Sequence, residues 1–147
     1  VEGQVVALRY AQASEETRRQ VDRLLEQDAD DQAWAAQIGP VYRQADVAAL
    51  LGKSKQAVSA DPRLLKLELR SGEIGYPVMQ FDGRRQLPGL GPVIRALDPV
   101  VASPWTSASW LTSPNSTLGG HTPIVALRGG RVDEVLRAAR QYAAAAG

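Results

Sequence analysis

Residues 44–60 read Gln-Ala-Asp-Val-Ala-Ala-Leu-Leu-Gly-Lys-Ser-Lys-Gln-Ala-Val-Ser-Ala, a pattern of two short helices separated by a glycine turn. A helix-turn-helix needs a small residue where its helices cross. It also needs a glycine able to take positive φ in the turn and an apolar residue that holds the second helix on the first. Ala48, Gly52 and Val58 stand in those places. Val47, Leu50 and Leu51 supply the inward face of the first helix, and Ser54 stands where an N-cap would start the second. Lys53, Ser54, Lys55, Gln56 and Ser59 are then left outside, as side chains that can donate to phosphates or to base edges in the major groove. An ordinary helical hairpin on a solvated surface has the same spacing, so the flanking sequence must decide.

Downstream, Leu65, Leu67 and Leu69 alternate with charged residues, Ser71-Gly72 is hairpin chemistry, and the run from Ile74 to Phe81 carries branched and aromatic residues. This predicts a β-hairpin beside the second helix, a wing, from which Arg70, Arg84 and Arg85 grip a DNA backbone. Tyr76 and Phe81 read as wing-core packing, not as stacking platforms for single strands. Pro88-Gly89-Leu90-Gly91-Pro92 predicts a turn, and Val93, Ile94 and Leu97 a short closing helix docked on the hairpin. The winged helix-turn-helix then spans 40–98, and the proline-bounded stretch 99–104 reads as an interdomain linker.

Upstream, Ser14 followed by Glu15 and Glu16 reads as a helix start, with Val21, Leu24 and Leu25 as an apolar stripe. Trp34 and Ile38 make a second stripe before Gly39-Pro40 ends the segment. Residues 1–39 are therefore expected to form an N-terminal helical arm, read as a packing helix in preference to a partner surface.

The block 105–147 predicts three helices. Trp105, Ala108, Trp110 and Leu111 give the first a face too apolar for water. Thr122-Pro123 opens the second, Gly129-Gly130 closes it, and Val132, Val135, Leu136, Ala139 and Tyr142 stripe the third. A unit of this size built around two tryptophans suggests an obligatory partner surface. The fold class expected overall is mainly α with a small β-hairpin wing.

Composition narrows the chemistry. The 147 residues contain no cysteine and one histidine, which excludes disulfides, thiolate nucleophiles, cysteine-ligated zinc and polyhistidine metal sites. Gly119-Gly120 lacks the lysine and hydroxyl residue of a phosphate loop, and His121 has no carboxylate or nucleophile placed by motif. No catalytic residue, metal or cofactor is expected, and the chain reads as a binding protein. No apolar run approaches membrane-spanning length, and residues 1–8 are too short and polar for a signal peptide, so a cytoplasmic chain with no membrane partner is expected. Net charge is only +1, but its distribution is uneven. Basic residues recur from Arg43 through Lys53, Lys55, Arg63, Lys66, Arg70 and Arg84 to Arg85, whereas 15–31 is acid-rich. Double-stranded DNA would therefore meet the middle third.

The chain resembles the Xre/MbcA/ParS antitoxin family, in the form that joins a winged helix-turn-helix to a toxin-binding domain. The resemblance rests on residues 46–58, on Tyr76-Pro77-Val78-Met79-Gln80-Phe81-Asp82 and on Pro88-Gly89-Leu90. Its most specific part is Trp110-Leu111-Thr112-Ser113-Pro114-Asn115, Leu118-Gly119-Gly120 and Thr122-Pro123-Ile124. What it implies is a RES-domain toxin that destroys NAD, covered at its active site by the C-terminal domain. A homodimer or a toxin–antitoxin hetero-oligomer would repress its own operator. The implied toxin contacts are Trp105, Trp110, Asn115, Leu118, Arg131, Arg137, Arg140 and the tail after Tyr142. A stand-alone transcriptional regulator, with the C-terminal helices as a dimerisation or effector module, is the alternative.

Overall fold

The computed structural model describes residues 17, 19, 20 and 31–147. The expected helix start at Ser14 and the Val21, Leu24, Leu25 stripe lie outside them. Residues 17, 19, 20 and 31–38 are helical, and the segment ends as expected at Gly39, whose φ of 84° suits glycine. The chain from Gln37 to Gly147 forms one compact unit, mainly helical with small antiparallel sheets.

After strand β1 (Val41–Tyr42) come helices α1 (Gln44–Leu51) and α2 (Lys55–Ala60). Gly52 closes α1 in the left-handed region at φ 64°, and the chain re-enters a helix three residues later because the Ser54 hydroxyl accepts from the Ala57 N–H at 3.1 Å. Val47, Ala48 and Val58 are buried together with Leu64, Tyr76 and Phe81, and Tyr42, Leu50 and Leu51 pack on this cluster. Ala48 and Val58 are thus buried and Gly52 takes a positive φ.

Strands β2 (Leu67–Glu68) and β3 (Ile74–Pro77) form the expected hairpin. Leu65 and Leu67 are buried and Glu68 and Arg70 exposed, as a period of two requires. The Leu69 N–H donates to the Glu73 carbonyl and the Gly72 N–H to that of Leu69, closing the tip. Unforeseen is β1, which pairs with the other edge of β3 and gives a three-stranded sheet in the order β1-β3-β2. The run expected to continue as strand to Phe81 instead bends into a 3₁₀ turn at Val78–Gln80.

That turn buries Gln80 completely. Its amide pairs with the main chain of Leu65 as another strand would, accepting from the N–H at 2.8 Å and donating to the carbonyl at 2.9 Å. A second hairpin follows, β4 (Phe81–Asp82) with β5 (Arg85–Gln86), turning on Gly83.

Helix α3 (Leu90–Leu97) begins within the stretch expected as a turn. Its principal partner is the last helix, α6 (Val132–Ala146), and not the hairpin. The close approach is made at Gly89, where φ is 87° and a Cβ would stand 2.5 Å from a Val132 methyl. Helices α4 (Pro104–Thr112) and α5 (Pro123–Arg128) complete the C-terminal block, so its three helices form as expected. The stretch 99–104, expected as a linker, lies inside the compact unit, and Pro104 is already helical. Ala108, Leu111, Leu118, Ile124, Ala126, Leu127, Val135, Ala138 and Ala139 are buried in the block, whereas both tryptophans are only partly buried. Two long-range bonds tie it to the sheet region: the Trp105 indole donates to the Glu68 carbonyl at 3.1 Å, and Arg128 to the Met79 carbonyl at 2.6 Å. Among the described residues no helix is long and apolar enough to cross a membrane.

Candidate nucleic-acid interface

Helix α2 is anchored by one buried side chain, Val58. Lys55, Gln56 and Ser59 are exposed, as are Lys53 and Ser54 just before the helix. Backbone contacts fix its ends: the Gln44 amide donates to the Lys55 carbonyl at 2.7 Å and the Lys66 ammonium to that of Ser59 at 2.6 Å. The main chain is held at both ends while Lys55, Gln56 and Ser59 stay in solvent. That arrangement suits a helix that reads another surface, because rigid placement limits the entropy lost on binding.

Arg43, Arg70, Arg84 and Arg85 are exposed as well. Arg43 precedes α1, and its N–H donates to the Asp46 carboxylate. Arg70 stands at the tip of the β2–β3 hairpin. Arg84 and Arg85 do not belong to that hairpin. They sit on the β4–β5 hairpin, which places them beside Lys53 in a groove of about 390 Å³ that Arg63 also lines. The positive residues expected on one hairpin are therefore divided between two.

One carboxylate stands in this groove. Asp61 accepts two bonds from the Arg63 guanidinium, both at 3.1 Å, and lies 3.9 Å from the Lys53 ammonium. The hydrogen bonds from Arg63 hold its carboxyl below the ordinary carboxylate range against the opposing effect of burial. The same pair keeps Arg63 charged to still higher pH. Asp61 thus remains ionised at neutral pH, fixing the direction of Arg63 while offsetting only part of the local positive charge.

The expected toxin contacts fare unevenly. Leu118 is buried in the 3₁₀ turn Ser116–Leu118 and cannot reach a partner. Asn115 is occupied as the cap of that turn, accepting from the Thr117 N–H and hydroxyl. Arg131 is engaged with Glu134 and with the Leu118 carbonyl. Trp105 is tied to β2. Trp110 remains partly exposed, its ring centroid 6.2 Å from that of Tyr142, and Arg137 and Arg140 are exposed. Among the described residues no group of three histidine, aspartate or glutamate side chains is placed to hold a metal ion.

No family model and no curated protein sequence matches the chain. Among solved structures the NMR structure of Rv2175c is similar, with a TM-score of 0.61 and 24% identity over 71% of this chain and 81% of that chain. At this identity the likeness is one of fold.

Proposed function

We propose that the protein binds double-stranded DNA through a winged helix-turn-helix, with α1 as the supporting helix, α2 as the reading helix and the β2–β3 hairpin as the wing. The observation that carries this reading is the outer face of α2. Lys55, Gln56 and Ser59 are exposed on a helix whose backbone is held near both ends by Gln44 and Lys66. Lysine and glutamine are the side chains that address guanine and adenine edges in the major groove. Lys53, Arg84 and Arg85 flank the helix as phosphate contacts that set register without carrying sequence information. The chain acts by binding and not by catalysis, as a cytoplasmic transcriptional regulator.

The C-terminal helices favour the simpler form of this role. Most of their apolar side chains are buried against α3 and one another, with Val125 and Tyr142 left exposed, so their core closes without a partner. The second reading is the antitoxin role implied by the sequence resemblance. It is favoured by the Trp110–Tyr142 pair, where Tyr142 is 37% exposed, with the exposed Arg137 and Arg140 as the remaining contacts. The two forms part in one experiment, co-expression with a RES-domain toxin followed by NAD measurement. An Arg137→Glu protein that loses protection while still binding DNA supports the antitoxin form, and wild-type protein that gives no protection defeats it.

DNA binding is tested by a mobility-shift assay on the sequence upstream of the gene. Lys55→Ala and Gln56→Ala are each expected to cost about 1–3 kcal/mol against that sequence and much less against unrelated DNA. Equal losses on both would remove α2 from the reading role.

A further inference from the structure

A second cleft, of about 420 Å³, lies between α3 and α6 and is lined by Arg95 and Arg140 together with Arg63 and Pro92. Arg63 and Pro92 also line the groove beside Lys53, so the two depressions meet. Together they set six cations, Lys53, Arg63, Arg84, Arg85, Arg95 and Arg140, along one path. Against them stand Asp61, held by Arg63, and Asp82, 3.9 Å from Arg85. Arg95 and Arg140 are exposed and form no ion pair among the described residues. For a chain whose net charge is +1, so many cations on one path constitute a strong local field.

We infer that this path is a phosphate track: the backbone of a DNA duplex leaves the reading helix at Lys53 and continues past Arg63 to Arg95 and Arg140. The C-terminal helix thereby becomes part of the DNA interface, and Arg140 serves DNA and not a protein partner. This rests on the DNA-binding reading above. Three features favour a duplex over an acidic protein. The path starts at the turn that leads into α2. It carries charges of one sign in succession, matching a polymer with one negative charge per about 1.7 Å of axis. No aromatic side chain lines either cleft, whereas protein interfaces draw most of their energy from aromatic and other buried anchors.

The test is the salt dependence of binding for Arg95→Gln/Arg140→Gln, measured on a duplex of about 12 base pairs and one of about 24, roughly one and two helical turns. Removing one cation from a phosphate should flatten the slope of log affinity against log salt by about 0.9. The double variant is therefore expected to flatten it by about 2 on the longer duplex. Each single substitution should give about half that change, and Arg95→Lys/Arg140→Lys should keep the wild-type slope, since a lysine supplies the same charge. An unchanged slope on the longer duplex overturns the track while leaving α2 as reader, whether or not the variant fails to bind a protein partner. A wild-type protein that binds neither duplex defeats the DNA-binding reading first, and that outcome is distinct from the other.

Discussion

Replacing Gln80 by methionine keeps most of the side-chain volume and removes both polar atoms from a site with no solvent exposure. The partners left behind are the N–H and carbonyl of Leu65, bonded to Gln80 at 2.8 and 2.9 Å, and Leu65 itself is 2% exposed. An orphaned buried polar group costs about 1–3 kcal/mol, so the pair sets an expected loss of roughly 2–6 kcal/mol, a large part of the ~5–15 kcal/mol that holds a domain folded. Urea unfolding followed by circular dichroism measures it. With a slope near 2 kcal/mol per molar, a loss of about 3 kcal/mol lowers the midpoint by about 1.5 M. Gln86→Met is the control, because Gln86 is only partly buried and makes one such bond, to the Arg63 carbonyl. A Gln80→Met loss below about 1 kcal/mol, or one no larger than the control's, would refute the claim that this amide splices the segment after α2 onto the 3₁₀ turn.

Gly89→Ala is expected to destabilise by more than the ~1–3 kcal/mol of a left-handed non-glycine residue, since the new methyl also meets Val132. Adding Val132→Ala should recover the steric part and leave the backbone part in a double-mutant cycle. Burial raises the Tyr76 hydroxyl above its ordinary value of 10.0. The unfolded chain therefore loses this proton first as pH rises, and stability present below about pH 10 declines through the folded value. Tyr76→Phe should remove that alkaline decline in urea melts, whereas an identical decline would assign it to other groups. Ser54→Ala removes the cap of α2 and should cost about 1 kcal/mol, read from thermal melting.

What can be read in the sequence is local. Ala48, Gly52, Ser54 and Val58 fix the two-helix turn through crossing distance, left-handed backbone and capping, all within a dozen or so residues. The Leu65, Leu67, Leu69 alternation marks the hairpin for the same reason. Strand β1 escapes because two residues carry no period, and its partner β3 lies far along the chain. The β4–β5 hairpin does carry a signal, Asp82-Gly83, a dipeptide suited to tight hairpin turns. Assigning Arg84 and Arg85 to the first hairpin passes over it.

Leu118 is named as a contact only through the resemblance, yet the Asn115-capped turn leaves it buried. Trp105 reads as partner surface in a sequence that cannot show its indole reaching the Glu68 carbonyl. Arg63 and Arg95 carry no motif. They join Arg140 only when α3 docks on α6, a tertiary event that spacing cannot report.

An NMR titration of the labelled protein with its upstream duplex shows whether α2 meets DNA. The amide and side-chain signals of Lys53, Lys55, Gln56 and Ser59 are expected to move first and furthest, with those of buried Val47 and Val58 nearly still. Movement centred on Trp110 and Tyr142, with the α2 signals unchanged at saturating DNA, would contradict the reading role of α2.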